Sequence, residues 1–203
     1  MKDYNNLSED DGRILVKTAR LVVTEYLKNG TKLKLEKEFK DNFSFKSGVF
    51  VTLNNTSGLR GCIGYPLPDK SLFNALENAA ISAATKDPRF PSVKHEELDS
   101  IIFEVTVLTP PKKIVASKPE EYLSKIKVGR DGLIVKCGFY SGLLLPQVPV
   151  EYGWNEEEFL EYTCEKAGLP KNYWKNQDTE IQKFEGIVFK EVKPNGSVIR
   201  EVL

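Results

Sequence analysis

Apolar residues recur along this chain with two different periods, and the switches between them outline its elements. Ile14, Leu15, Ala19, Val22, Val23, Tyr26 and Leu27 return at helical spacing. Ser8 followed by Asp11 resembles a capping box ahead of them, and Gly30 ends the helix. Val49 to Leu53 reads as a strand, Asn54 to Gly58 as its turn, and Leu59 to Gly64 as the returning partner. A second helix is predicted from about Ser71 to Lys86, stopped at Asp87-Pro88 because a residue before proline avoids the helical region. Ser100 to Leu108 then alternates, with Ile101, Phe103, Val105 and Val107 on one face and Ile102, Glu104 and Thr106 on the other.

The second half repeats this grammar. Gly132 to Cys137 is a strand like Gly48 to Leu53, and Ser141-Gly142-Leu143-Leu144 follows its turn as Ser57-Gly58-Leu59-Arg60 follows the first. Asn155 with Glu158 opens a helix that Gly168 closes. A strand from about Glu185 to Val192 turns at Pro194-Asn195-Gly196 into a last strand, Ser197 to Leu203. Strand, turn, strand, helix, strand in both halves is what an internal duplication leaves; chance likeness of short hairpins produces it too. The expected fold class is α+β: two associated lobes, roughly 1–115 and 116–203, built on antiparallel sheet with flanking helices.

Composition narrows the function classes. Lysine plus arginine (29) equals aspartate plus glutamate (29), which argues against a dominant nucleic-acid or membrane-surface role. Three cysteines without a close pair make no disulfide framework and suit a reducing cytoplasm. Met1 to Asn6 lacks the apolar core of a signal peptide, and no apolar run reaches the ~20 residues of a membrane span. A cytoplasmic protein is expected.

The stretch Leu59-Arg60-Gly61-Cys62-Ile63-Gly64 carries the clearest chemistry. As a strand it sends Arg60 and Cys62 to one face, and its glycines leave room for another backbone or a ligand. A cation beside a thiol favours the nucleophilic thiolate; a cysteine that merely packs as a small apolar side chain is the plainer alternative. Glu104 interrupts an apolar strand, so it is either a general base or half of an ion pair with an arginine. His95, the only histidine, stands in a polar segment and reads as solvated. Gln147, after Leu143 to Pro146, either presents its amide to a ligand from a strand end or is a surface polar residue. Cys137 and Cys164 are assigned to the core. No zinc spacing and no phosphate-binding glycine run is present, so neither metal nor cofactor is expected.

LRGCIG, then DPRFPSV at Asp87 to Val93, FEVTVL at Phe103 to Leu108, GRDGLIV at Gly129 to Val135, LLPQV at Leu144 to Val148 and CEKAGL at Cys164 to Leu169 occur in this order. Together they resemble the AMMECR family, named for the Alport-syndrome, midface-hypoplasia and elliptocytosis chromosomal region, over nearly the whole chain. The resemblance implies a two-lobed α+β architecture and no settled activity; enzymatic and nucleic-acid-related roles have both been proposed for the family. It also implies association of bacterial and archaeal relatives with a radical-SAM-like and a dioxygenase-like protein. Carried onto this chain, its motifs nominate Arg60 and Cys62, then Arg89, Glu104, Arg130 and Gln147. The resulting expectation is an enzyme acting on a small anionic or nucleotide-like substrate, with Cys62 as nucleophile or redox thiol, Glu104 moving protons, and Arg60, Arg89, Arg130 and Gln147 binding the substrate. The alternative is a non-catalytic module binding a nucleotide, RNA or a protein partner; a scaffold with an exposed apolar patch is a third class.

Overall fold

The computed structural model describes residues 3–201. The described residues divide into two compact units: one takes those up to Thr109 together with those from Ile187 to Glu201, the other Pro110–Gly186.

In the first unit, helix α1 (Glu9–Asn29) starts at the expected box: Ser8 Oγ accepts the Asp11 amide at 3.2 Å and the Asp11 carboxylate accepts the Ser8 amide at 3.0 Å. Glu9, Asp10 and Asp11 set negative charge against the positive end of the helix dipole. Gly30 closes the helix in the left-handed region at φ 68°, where a side chain would be strained. A short helix α2 (Lys37–Asn42) with no fully buried residue follows. Strands β1 (Gly48–Asn55) and β2 (Gly58–Tyr65) form the predicted hairpin, and helix α3 (Leu72–Thr85) follows. A 3₁₀ turn at His95–Ser100 leads into β3 (Ile102–Leu108), which pairs antiparallel with β1, giving the order β2-β1-β3. His95 is exposed, as read.

Strand parity builds this unit's core. Val49, Val51 and Leu53 of β1 and Phe103, Val105 and Val107 of β3 are fully buried together with Leu15, Val16, Ala19, Val22 and Val23 of α1. The alanines of α3 (Ala75, Ala79, Ala80, Ala83) keep that helix close to the sheet. The opposite sheet face carries Phe50, Thr52, Cys62 and Glu104, all half-buried.

The second unit holds β4 (Lys112–Lys113), α4 (Glu121–Lys125), β5 (Asp131–Cys137), β6 (Tyr140–Leu144), α5 (Gln147–Tyr152) and α6 (Glu156–Lys166). A 3₁₀ turn at Lys171–Lys175 precedes β7 (Glu180–Glu191), and β5 pairs antiparallel with β6 and with β7. The strand order β6-β5-β7 repeats the hairpin-plus-third-strand pairing of the first unit. Leu133, Val135, Phe159, Leu160, Cys164, Trp174 and Ile181 form the core of this unit. Cys164 is fully buried as expected, whereas Cys137 is only half-buried at the margin. Strand β8 (Val198–Glu201) pairs with the last residues of β7 in the first unit. The expected continuation to Leu203 falls, like Met1 and Lys2, outside the described residues.

Candidate functional site

Register decides which side chains of the motif strand meet. Thr52 of β1 lies opposite Cys62 on β2 and opposite Glu104 on β3, so thiol, hydroxyl and carboxylate form one row across three strands. The Thr52 hydroxyl donates to Cys62 Sγ at 3.3 Å. Glu104 Oε2 stands 4.0 Å from Lys190 Nζ. Two residues along β3 and on the same face, the buried Thr106 hydroxyl has no hydrogen-bond partner.

Cys62 sits on an edge strand, and its outward backbone groups are taken by side chains in place of a further strand. Its N–H donates to Asp87 Oδ2 at 2.8 Å, and its carbonyl accepts from Arg89 Nη2 at 3.4 Å. Asp87 and Arg89 are locked together by Nε and Nη2 contacts of 3.0 and 2.8 Å, with the Arg89 amide on the same carboxylate at 3.1 Å. The Asp-Pro-Arg turn therefore clamps β2 at the cysteine. Arg89, with the Cys62 and Arg89 amides, holds the Asp87 carboxyl well below the usual carboxylate range against the opposing effect of burial.

Arg60 performs a second fastening. The register skips it, so it is the extra residue of a β-bulge. Its fork grips Glu97 at 2.9 and 3.1 Å, and Nη1 donates to the Pro91 carbonyl at 2.8 Å. Arg60 and the Lys94 amide keep the Glu97 carboxyl below its ordinary value. Both first-unit arginines nominated for substrate are thus engaged with carboxylates of this chain. Gly61 has a packing reason: a Cβ there would overlap the Ala83 carbonyl of α3.

Burial pushes the Cys62 thiol up from its ordinary value, the Thr52 hydroxyl and Arg89 pull it down, and Glu104 and Asp87 add to the rise. The net shift is upward, so the expected thiolate preference from a neighbouring cation is outweighed and the resting group is the thiol. The Cys62 amide, between the two motif glycines, is occupied by Asp87. Alternation along an antiparallel strand directs the Gly64 N–H outward instead.

Arg130 and Gln147 belong to the second unit. Arg130 grips the fully buried Asp131 at 2.8 and 2.7 Å and stands 3.7 Å from Glu185. Burial opposes ionisation of Asp131, yet Arg130, the Lys127 amide and Lys183 hold its carboxyl below its usual range. Gln147 is the first residue of α5, where a strand end was expected: β6 stops at Leu144, and Pro146 leads into a helix that needs no amide from it. Its buried Oε1 has no hydrogen-bond donor. Sequence reasoning missed Thr52, Glu97 and Lys190, and read Asp87 only as a helix stop. Among the described residues no group of three His, Cys, Asp or Glu side chains is arranged to hold a metal ion.

The AMMECR1 family model matches residues 16–189, a span that includes the clamp, the thiol row and both hairpins. The chain belongs to the AMMECR1 family. Protein MJ0810 of Methanocaldococcus jannaschii is 53% identical over 199 residues, covering 97% of this chain and 98% of its own. A Pyrococcus abyssi protein, PYRAB00100, is 52% identical over 202 residues, again covering 97% and 98%. The crystal structure of uncharacterized protein PH0010 from Pyrococcus horikoshii superposes with TM-score 0.90 at 51% identity, covering 97% of this chain and 99% of that one. For this AMMECR1-family chain, no helix of the described residues is long and apolar enough to cross a membrane.

Proposed function

We infer that this AMMECR1-family protein is an enzyme in which Cys62 attacks an electrophilic carbon and Glu104 receives the thiol proton. The observation that carries this reading is the single cross-strand row of Cys62, Thr52 and Glu104. A buried thiol held protonated at rest needs a base at the moment of attack, and a carboxylate is the base type this row supplies. Thr52 stands between the two: its hydroxyl donates to Sγ at rest, and in the reaction it turns to accept the thiol proton while passing its own to Glu104, its register neighbour. The Sγ–carbon bond forms as the bond to the leaving group breaks, and the proton taken by Glu104 returns to that leaving group. The outward Gly64 amide is the donor for a developing oxyanion.

Arg60 and Arg89 shape the strand in this reading, so binding of a small anionic or nucleotide-like substrate rests on weaker support than the thiol chemistry. RNA binding rests on arginines near aromatic residues, and the link to radical-SAM-like and dioxygenase-like partners on the family resemblance alone. The non-catalytic reading keeps one specific support, the protonated thiol, and differs in its consequence: Cys62→Ala then leaves binding intact. Treatment of the full chain with p-nitrophenyl acetate separates the two. The expected result is acetylation confined to Cys62, absent in Cys62→Ser and slowed at least about a hundredfold in Glu104→Gln. Equal labelling of the three cysteines, or labelling indifferent to Glu104→Gln, would overturn the catalytic reading.

A further inference from the structure

Trp174 closes the 3₁₀ turn after α6 and is 1% exposed, yet its indole N–H has no hydrogen-bond acceptor. A buried donor left without a partner is costly, so its persistence calls for an explanation. The same residue is a wall of a cavity of about 330 Å³ within the second unit, a volume in the range of small-molecule sites. Tyr122 supplies an aromatic wall, Lys118 and Lys175 supply cations, and Ser117 and Asn176 supply polar groups; among the described residues no carboxylate lines the space.

The walls are held in place before any ligand arrives. On one side the Ser117 amide bonds Glu121 at 3.1 Å and Lys125 Nζ bonds the Val115 carbonyl at 2.7 Å. On the other the Thr179 hydroxyl bonds the Tyr173 carbonyl at 2.8 Å, and Asn176 Oδ1 accepts the Asp178 amide at 3.0 Å. Lys175 lies over the Trp174 ring at 4.7 Å, with Glu157 at 3.3 Å on its outer side.

We propose that this cavity is a second ligand site, separate from the thiol row, for a small molecule with an oxyanion group on a planar body. The oxyanion is held by Lys118 and Lys175 and accepts from the Trp174 N–H after a small adjustment of the ring. The planar body lies against Tyr122. Cationic donors around this cavity favour a carboxylate or phosphate, and the Tyr122 ring favours a flat body.

The test uses the ¹⁵N-labelled full chain carrying Trp154→Phe, which leaves Trp174 as the only indole. Benzoate, adenosine monophosphate and inorganic phosphate are titrated separately while the Trp174 indole N–H resonance is followed. The proposal expects a saturable downfield shift with benzoate or adenosine monophosphate, weakened about tenfold by Lys118→Gln, and a weaker response to inorganic phosphate. Whichever organic probe saturates tells a carboxylate from a phosphate ligand. A resonance that no probe moves, or a shift that Lys118→Gln leaves unchanged, overturns the proposal. The unchanged dispersion of the remaining spectrum shows that the lysine variant is folded.

Discussion

Removing the Asp87 carboxylate should loosen the motif strand, and the structure sets the size of the effect. Asp87 is 4% exposed and accepts the Cys62 amide, the Arg89 amide and two guanidinium contacts. The Arg89 side chain is 55% exposed, so in the variant its charge rehydrates and the ion pair itself contributes at most about 1 kcal/mol. The Cys62 amide has no such escape: stripped of its acceptor at a half-buried edge, it costs about 1–3 kcal/mol. Asp87→Ala should therefore destabilise by about 2–3 kcal/mol, whereas Asp87→Asn, which keeps an oxygen for the amide, should cost about 1 kcal/mol. Urea unfolding reads this as a lower midpoint at unchanged slope. The pH dependence has a definite sign. The folded-state carboxyl is depressed, so the advantage of wild type over Asp87→Asn is present above the unfolded value of ~3.9 and fades as pH falls toward the folded one. An Asp87→Ala variant within 0.5 kcal/mol of wild type (about the scatter of ordinary surface changes), or equal to Asp87→Asn, would refute the clamp.

Two further predictions concern the frame. Gly61→Ala should cost about 1–3 kcal/mol in chemical unfolding, because its Cβ meets the backbone carbonyl of Ala83; a neutral result would mean that α3 yields freely. Arg20, buried with its Nε 2.8 Å from Glu191 and its guanidinium 4.4 Å from the Phe103 ring, should cost about 3–5 kcal/mol as Arg20→Met. The double variant Arg20→Met/Glu191→Leu should recover only part of that loss, because Glu191 also accepts the Phe103 amide; a double variant no more stable than Arg20→Met would deny that the stranded Glu191 charge is the main cause.

What could be read in advance follows from which interactions are local. The Ser8–Asp11 and Asn155–Glu158 capping boxes, the Gly30 cap and the β3 parity all lie within a few residues of chain, and the structure holds each of them. Cys62 and Glu104 were legible as separate candidates. Their common row was not, because it depends on Thr52 and on a bulge that shifts the register at Arg60. The partners of the arginines split by distance: Glu97 lies 37 residues from Arg60, while Asp87 lies only two from Arg89 and was obscured by the helix-stop meaning of Asp-Pro. Gln147 misled because a proline after apolar residues ends a strand and begins a helix equally well. The passage of β7 from one unit to the other depends on long-range pairing that no local pattern carries.

The most direct test of the thiol row is the pH dependence of iodoacetamide alkylation at Cys62, resolved by peptide mass spectrometry, in wild type, Glu104→Gln and Thr52→Val. The account predicts an apparent pKa above the free-cysteine value of ~8.5 in wild type. Loss of the Glu104 charge should lower it, and loss of the Thr52 hydroxyl should raise it. A wild-type value at or below that of free cysteine, or one that neither substitution moves, would contradict the coupling of thiol, hydroxyl and carboxylate on which the proposed chemistry depends.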